Sequence, residues 1–472
     1  MNTKTQLFIK NFSYTLSSNL VTLLISILVV AIVPKVLGVE EYGYWQLYLF
    51  YTLYTALLHF GWNDGVYLRY GGKKYDELDK NLFFSQFWML ITFELVITLT
   101  IIGCAGLIID NPDRLFIITM MLLSSLIVIP RGMLLFILQG TNRMRENAIS
   151  ILIGKTIYFI LIIVFILLDL KSYQIMITAD LVGKFISFLY TLVCCRDIVF
   201  RKLTSFYLDF RETINNISVG IKVSLAFIAS TLIIGTVRFG IEYMWDIETF
   251  GKVSLTLSIS NLMMVFINAI GLILFPVLRR TNEKNLPSIY KDMRNLLTVP
   301  LIGILILYYP LNYIMSMWIP EYSESLIYMG LLFPMVLFEG KMSLLINTYL
   351  KTLRKEKQML LINLLSLVLS LIITIFSVLV LQNLTLSILS IVFLLAFRCI
   401  VAEIILSKIL KITIKLDTFM ELSMTIVFIL TVWFIGTWEA AAIYLLFYLF
   451  YLLIKRHEFN RTIENFRLIM KK

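Results

Sequence analysis

Charged side chains occur deep inside long apolar segments of this 472-residue sequence. A charge near the centre of a bilayer is costly, so such residues mark either a functional site or a paired charge. Arg398 lies about 13 residues into its apolar segment, too deep to reach the surface easily. Arg238 lies toward the end of another. Because arginine binds phosphate groups through paired hydrogen bonds, Arg398 and Arg238 are the leading candidates to bind an anionic substrate. For Arg238 the alternative is an anchor at the membrane interface.

Two further candidates for anion binding, Lys184 and Lys341, each have an acid nearby in the sequence. Asp180 precedes Lys184 by four residues, so the two can form an ion pair on one helix face, which is the structural alternative for Lys184. Glu339 and Lys341 are two residues apart and cannot pair along one helix. Each of them therefore needs a partner on another helix or a water-filled cavity.

Depth in the membrane separates the remaining cations. Arg131 lies at intermediate depth and is a further candidate for substrate binding. Lys155 and Lys222 lie within about two turns of the expected cytoplasmic end of their segments, so we expect their ammonium groups to extend to the lipid headgroups.

Two acids inside apolar segments are candidates for binding H⁺ or Na⁺. Glu94 lies near the middle of its apolar segment and has no charged neighbour at helical spacing; Glu403 is the second candidate. The alternative for Glu94 is a neutral acid hydrogen-bonded to another helix. We expect no metal or other cofactor, because the chain has only two histidines and its four cysteines lie within or at the edge of apolar segments.

Composition identifies a membrane protein. Hydrophobic residues make up 59% of the chain and charged residues 15%, compared with about half and a quarter in soluble domains. The net charge of +11 resides in short gaps between apolar segments. This distribution is typical of membrane topology and contact with anionic lipid, and it argues against nucleic-acid binding.

The apolar segments predict an all-α fold with about 14 membrane spans. The expected bounds are 12–34, 44–62, 82–109, 115–139, 148–169, 174–195, 217–241, 252–278, 296–318, 324–348, 358–381, 385–407, 418–436 and 438–455. About 30 of the 41 Lys and Arg residues then fall on one side and about 5 on the other, which predicts that both termini are cytoplasmic. No loop exceeds about 20 residues, so we expect no soluble catalytic domain and no enzyme activity.

A short repeat suggests two related halves. The segment VEEYGYWQL (39–47) matches IETFGKVSL (247–255), and both copies follow a long apolar segment. Because both copies begin after an odd-numbered span, the halves would have the same orientation and enclose a central cavity. We predict a six-helix lobe at 1–210, a second at 211–410, and two additional helices with a basic cytoplasmic tail at 411–472.

Three segments carry a resemblance to a known family: LGVEEYGYWQLY (37–48), FGWNDGVYLRYGG (60–72) and VRFGIEYMWDIETFGKVSL (237–255). With these segments and this number of spans, the chain resembles the polysaccharide transporter family, the Wzx-type O-antigen and repeat-unit flippases of the multidrug/oligosaccharidyl-lipid/polysaccharide superfamily. In this resemblance Arg69 matches a basic position of the flippase motif, a gate or headgroup contact. Asp64, close to Gly65, is a gate or turn residue.

The resemblance implies a protein of the bacterial inner membrane that moves undecaprenyl-pyrophosphate-linked oligosaccharide from the cytoplasmic to the periplasmic leaflet. Its implied partners are the lipid-linked substrate, membrane lipid, a polysaccharide polymerase and a chain-length regulator. A drug/cation antiporter of the same superfamily is the main alternative, for which about 12 spans and a compact acidic site are expected. A membrane polymerase is a third, disfavoured by the absence of a long loop.

Overall fold

The computed structural model describes the backbone of residues 3–279 and 286–470, and the side chains of 13–264, 286–459 and 461–462. Every regular element in these ranges is helical, which confirms the predicted all-α class. The first nine α-helices are α1 Thr3–Val36, α2 Val39–Thr52, α3 Trp62–Tyr70, α4 Lys80–Ile108, α5 Pro112–Gly140, α6 Met144–Leu167, α7 Tyr173–Cys194, α8 Arg196–Val199 and α9 Phe210–Met244. The others are α10 Ile247–Arg279, α11 Leu286–Ile304, α12 Tyr308–Trp318, α13 Leu326–Leu332, α14 Met335–Lys341, α15 Asn347–Thr352, α16 Glu356–Thr374, α17 Leu384–Leu410, α18 Lys415–Phe434 and α19 Trp438–Met470. Short 3₁₀ helices cover Thr55–Leu57, Tyr75–Glu77, Leu203–Ser205, Leu305–Leu307 and Pro320–Ser325, and π-helical turns cover Met342–Ile346 and Ile375–Val380.

Within the described residues, eleven helices are long and apolar enough to cross a membrane, and a bent pair brings the number to twelve. The bent pair joins Pro320–Leu332 to Met335–Thr352 at an angle of 41°. Pro334 lies at this bend, as expected of a residue that cannot donate a backbone hydrogen bond. The last predicted pair of spans is also present as two separate helices, α18 and α19.

Two of the fourteen predicted spans are not among these helices. The predicted span 44–62 is interrupted, because α2 ends at Thr52 and Phe60 and Gly61 both have positive φ, 49° and 82°. A Cβ on Gly61 would lie 2.5 Å from the backbone nitrogen of Ile221, so this turn is closed tightly against α9. The predicted span 252–278 corresponds to α10, whose side chains beyond residue 264 lie outside the described residues.

The chain divides into two compact units, Met1–Thr231 and Leu232–Lys472, called here the N-terminal and C-terminal units. The division falls inside α9. The two copies of the sequence repeat each begin a helix at the same step, α2 at Val39 and α10 at Ile247. In the second copy the side chain of Asp246 accepts a hydrogen bond of 2.7 Å from the backbone N–H of Thr249, which satisfies a free donor of the first helical turn and lowers the pKa of Asp246. The predicted three-part domain organisation stays a prediction.

A close crossing of α6 and α7 organises the N-terminal unit. Gly154 and Gly183 meet at this crossing, where a Cβ on Gly183 would lie 2.6 Å from the carbonyl oxygen of Gly154. Glycine is needed here because any larger side chain would push the two backbones apart. Each glycine is followed directly by a lysine, Lys155 on α6 and Lys184 on α7. The crossing therefore fixes the backbone positions from which these two lysine side chains extend.

Candidate functional site

The N-terminal unit contains a cavity of about 250 Å³ that we call the cationic pocket. Its walls come from the end of α2 with the following 3₁₀ turn, and from one face each of α5, α6 and α7. The lining residues are Thr52, Thr55, Ser124, Val128, Arg131, Ile151, Gly154, Lys155, Tyr158, Asp180 and Lys184. On each of the three long helices these residues fall at i, i+3, i+4 and i+7 or a subset of these positions, the spacing of a single helical face.

Lys184 and Asp180 form the ion pair expected from their spacing. The Lys184 Nζ lies 2.5 Å from Asp180 Oδ2, and the pair is partly buried. Lys184 also donates a hydrogen bond of 3.0 Å to Ser124 Oγ, and the hydroxyl of Tyr48 donates one of 2.8 Å to Asp180. The pair is therefore anchored to α5 and α2 as well as α7.

Arg131 and Lys155 have fewer partners. Arg131 donates a hydrogen bond of 3.0 Å to Ser187 Oγ, while its buried Nε has no hydrogen-bond partner. Lys155 is exposed to the cavity, and its ammonium lies 5.8 Å from the centre of the Tyr158 ring. Among the described residues, no acidic side chain pairs with either cation. A cation among membrane-spanning helices is costly when no counter-ion neutralises it, so this arrangement favours an anionic ligand.

The pocket has the charge and size to bind a small anionic group. Three cations and one carboxylate give a formal charge of +2, and the hydroxyls of Thr52, Thr55 and Ser124 supply neutral hydrogen-bond partners. Its volume is below the roughly 300–1,000 Å³ of pockets that enclose drug-sized ligands. It can therefore hold a charged headgroup but not a complete oligosaccharide.

The structure places three cations around the pocket. Arg131 and Lys184 are substrate ligands predicted from the sequence, whereas Lys155 was not predicted to bind substrate. Depth alone assigned Lys155 to the lipid surface. The signal that identifies it is the Gly-Lys pair in each of two consecutive helices, Gly154-Lys155 and Gly183-Lys184, because two glycines at one crossing place the following lysines beside the same cavity.

In the C-terminal unit, four charged side chains form a ring of ion pairs, called here the charge ring: Arg294, Lys341, Glu403 and Glu421. Arg294 also lies 3.7 Å from the carboxylate of Asp417, outside the ring. The side chains of all four are at most 2% exposed. Glu403 lies 2.8 Å from Arg294 Nε and 2.7 Å from Lys341 Nζ. Glu421 lies 2.7 Å from Arg294 Nη2 and 2.5 Å from Lys341 Nζ. The ring is neutral and joins α11, α14, α17 and α18.

Lys341 and Glu403 therefore lie next to each other, although the sequence suggested different roles for them. In this conformation the ammonium of Lys341 has two carboxylate partners, and Glu403 also accepts a hydrogen bond of 2.8 Å from Tyr290. These contacts favour a structural role. Substrate binding by Lys341 and ion coupling by Glu403 stay predictions.

Arg398 and Arg238, the leading candidates from the sequence, also lie in the C-terminal unit with protein partners. Arg398 is 4% exposed and donates hydrogen bonds to Glu339 (2.9 Å) and Asn363 (3.0 Å). Arg238 donates to Ser254 (2.9 Å) and lies over the ring of Phe250. For Glu339 and Lys341 the sequence left two alternatives, a partner on another helix or a water-filled cavity, and the structure contains the first. The roles of Arg398 and Arg238 in substrate binding stay predictions.

Arg69 connects α3 to the first part of α9. It donates two hydrogen bonds to the carboxylate of Glu212, at 2.6 and 3.1 Å, and one of 2.5 Å to Asn216. Tyr70 donates to the same carboxylate, and burial together with this hydrogen bond raises the pKa of Tyr70. Asp64 lies in the first turn of α3. Arg69 thus ties two helices together, and a gating role for Arg69 and Asp64 stays a prediction.

Glu94, predicted as the main coupling residue, is fully buried on α4. Neither of its carboxylate oxygens has a hydrogen-bond partner, and the hydroxyl of Thr98, one turn further along, also has none. The alternative for Glu94 was a neutral acid hydrogen-bonded to a neighbouring helix. Among the described residues, Glu94 makes no such hydrogen bond.

The fold is similar to that of several membrane transporters of known structure. The lipid II flippase MurJ in its inward closed conformation superposes with a TM-score of 0.65 over 95% of this chain and 99% of that chain, at 14% identity. A multidrug resistance MATE family transporter in its inward-facing conformation gives 0.63 over 84% and 94%, at 12% identity. A MOP superfamily transporter from Pyrococcus furiosus, for which reverse polarity of the binding pocket suggests a different function, gives 0.58 over 86% and 97%, at 14% identity.

The sequence itself places the chain in a family. Residues 8–282 match the family model described as "Polysaccharide biosynthesis protein". This match covers more than half of the chain, and the protein belongs to this family, as its resemblance to the polysaccharide transporters predicted. By sequence, no curated protein matches the chain.

Proposed function

We propose that this protein is a flippase that moves undecaprenyl-pyrophosphate-linked oligosaccharide, an O-antigen or a similar repeat unit, from the cytoplasmic to the periplasmic leaflet of a bacterial inner membrane. It works by alternating access, with both termini in the cytoplasm. Membership of a polysaccharide biosynthesis family and the transporter fold support a flippase. The lipid carrier, the sugar and the direction of transport belong to the proposal.

The observation that carries the proposal is the cationic pocket among membrane-spanning helices. A diphosphate that leaves the headgroup region loses its water and counter-ions, and fixed cations can replace them through charge-assisted hydrogen bonds. Arg131 and Lys155 have no acidic partner among the described residues, and the cavity of about 250 Å³ suits a headgroup. The sugars would remain outside the pocket.

The polarity of the pocket argues against a drug/cation antiporter. A site for organic cations needs an excess of carboxylates or aromatic faces, whereas this pocket has three cations and a single acid, Asp180, which is already paired. The Pyrococcus transporter, whose reversed pocket polarity suggests a different function, is a parallel within the same fold.

Proton coupling is the second part of the proposal. Glu94 is fully buried and both its oxygens lack partners, so its charged form is strongly disfavoured and it holds a proton in this conformation. A sodium ion would need several oxygen ligands around it, whereas a proton needs only the carboxylate of Glu94, neither oxygen of which has a hydrogen-bond partner. We therefore favour H⁺ over Na⁺.

Surface glycan assembly in cells tests the proposed function. Lys155→Ala removes a cation of the pocket, and we expect the surface glycan to fall at least tenfold while the amount of protein in the membrane is unchanged. Lys222→Ala is the matched control, because Lys222 lies at a similar sequence depth but does not line the pocket. Normal glycan in Lys155→Ala and in Arg131→Ala would remove the pocket from the transport mechanism.

A further inference from the structure

Asp180 is the single acidic residue among the lining residues of the cationic pocket. It is held on two sides, by the ammonium of Lys184 at 2.5 Å and by the hydroxyl of Tyr48 at 2.8 Å. Asp180 is 7% exposed, and Tyr48 is fully buried. A carboxylate fixed in this way inside an anion-binding pocket opposes the ligand, so its presence calls for a reason.

The contacts of Lys184 give that reason. An ammonium group has three hydrogen-bond donors. In this structure Lys184 directs them to Asp180 (2.5 Å), Ser124 (3.0 Å) and Tyr48 (3.5 Å). No donor is left for a ligand as long as the pair with Asp180 is intact. Lys155, by contrast, has no hydrogen bond to any described residue, and the Arg131 Nε has none either.

We propose that Asp180 is a specificity-determining residue that sets the number of negative charges the pocket accepts. Because Asp180 holds Lys184, Arg131 and Lys155 are the cations that face the ligand. The net charge of the pocket, +2, then matches a diphosphate substituted at both ends, which carries two negative charges. Without the Asp180 charge, Lys184 is released and the pocket reaches +3. It then favours a group with an additional negative charge, such as a diphosphate with a free end.

This inference rests on the proposed function, since it assumes that the pocket binds the diphosphate of a lipid-linked sugar. If Asp180 acts in this way, the pocket discriminates between the intact lipid-linked substrate and diphosphates with a free terminal phosphate. The ion pair achieves this without a steric barrier, because a more highly charged ligand must compete with Asp180 for Lys184 to be fully neutralised.

Isothermal titration calorimetry on the purified full chain in detergent tests the inference. The probes are P¹,P²-dimethyl diphosphate and inorganic pyrophosphate, which carries about one more negative charge at neutral pH. In Asp180→Asn, we expect the affinity for pyrophosphate to rise at least tenfold more than that for the dimethyl ester. An equal change for the two probes would overturn the inference.

A double variant separates charge from structure. Asp180→Asn with Lys184→Met removes one charge of each sign and returns the pocket to +2, so the preference should return to that of the unmodified protein. If Asp180 only supports the packing of α7, the double variant will remain altered.

The two proposals fail in different ways. If the unmodified protein binds neither probe, the pocket is not an anion site, and the proposed function loses its support together with this inference. If both probes bind, and Lys155→Ala weakens both, but Asp180→Asn leaves their ratio unchanged, the pocket stands and only the role of Asp180 is refuted.

Discussion

Breaking the charge ring at one position should destabilise the C-terminal unit strongly. Glu421→Gln leaves Glu403 as the one fully buried carboxylate beside Arg294 and Lys341, at sites that are at most 2% exposed. Arg294 keeps a longer contact of 3.7 Å with the partly exposed Asp417. It removes contacts of 2.7 and 2.5 Å. Leaving a buried charge uncompensated costs about 3–5 kcal/mol, and we expect a loss of unfolding free energy of this size.

A double-mutant cycle gives the decisive comparison. Lys341→Met combined with Glu421→Gln removes one charge of each sign and leaves the Arg294–Glu403 pair of 2.8 Å intact. The double variant should therefore lose less than the sum of the two single variants, by up to about 3 kcal/mol for residues in direct contact. Reversible unfolding in mixed detergent micelles measures these free energies.

An exposed ion pair provides the control for this cycle. Lys74 and Glu77 are 3.8 Å apart, and their side chains are 86% and 57% exposed. Pairs of this kind contribute little, so Lys74→Met should not change the unfolding free energy measurably. The reasoning is refuted if Glu421→Gln also leaves the unfolding free energy unchanged. It is likewise refuted if the effects of Lys341→Met and Glu421→Gln on that free energy are additive.

Three further predictions follow from particular contacts. Gly183→Ala places a Cβ within 2.6 Å of the carbonyl oxygen of Gly154, and we expect it to lower the unfolding free energy by about 1–3 kcal/mol. Gly103→Ala is the control, because the space around Gly103 is open, and it should be neutral or slightly stabilising in the same unfolding assay. Arg69→Ala leaves the Glu212 carboxylate without its ion-pair partner and should lower the melting temperature more than Arg69→Ala combined with Glu212→Gln, and equal losses would argue against the ion pair. Glu94→Gln should preserve thermal stability but make transport insensitive to the proton gradient, and unchanged gradient dependence would exclude Glu94 as the coupling residue.

Local spacing predicted part of the candidate site. The pair of Asp180 and Lys184 follows from one helical turn, and the structure contains it. The separation of Glu339 from Lys341 likewise excluded a pair along one helix and left a partner on another helix or a water-filled cavity. The partners are Arg398 for Glu339, and Glu403 and Glu421 for Lys341. Both inferences use geometry within a single helix, which a sequence specifies directly.

Contacts between helices could not be obtained in the same way. Tyr48 and Asp180 are 132 residues apart, and nothing in either segment specifies that they meet. Depth in an apolar segment treated Lys155 and Lys222 alike, because depth does not indicate which face of a helix packs against its neighbours. The interruption of the predicted span 44–62 has the same origin, since it depends on the close approach of Gly61 to α9.

The central claim is that a cationic pocket in the N-terminal unit binds the charged headgroup of a lipid-linked oligosaccharide during transport. The most direct measurement is flipping of a fluorescent undecaprenyl-diphosphate oligosaccharide by the purified chain in proteoliposomes, followed by loss of signal to a membrane-impermeant quencher. The claim predicts that Lys155→Ala reduces the flipping rate at least tenfold and that Lys222→Ala retains it. Equal rates for the unmodified protein and Lys155→Ala would contradict it.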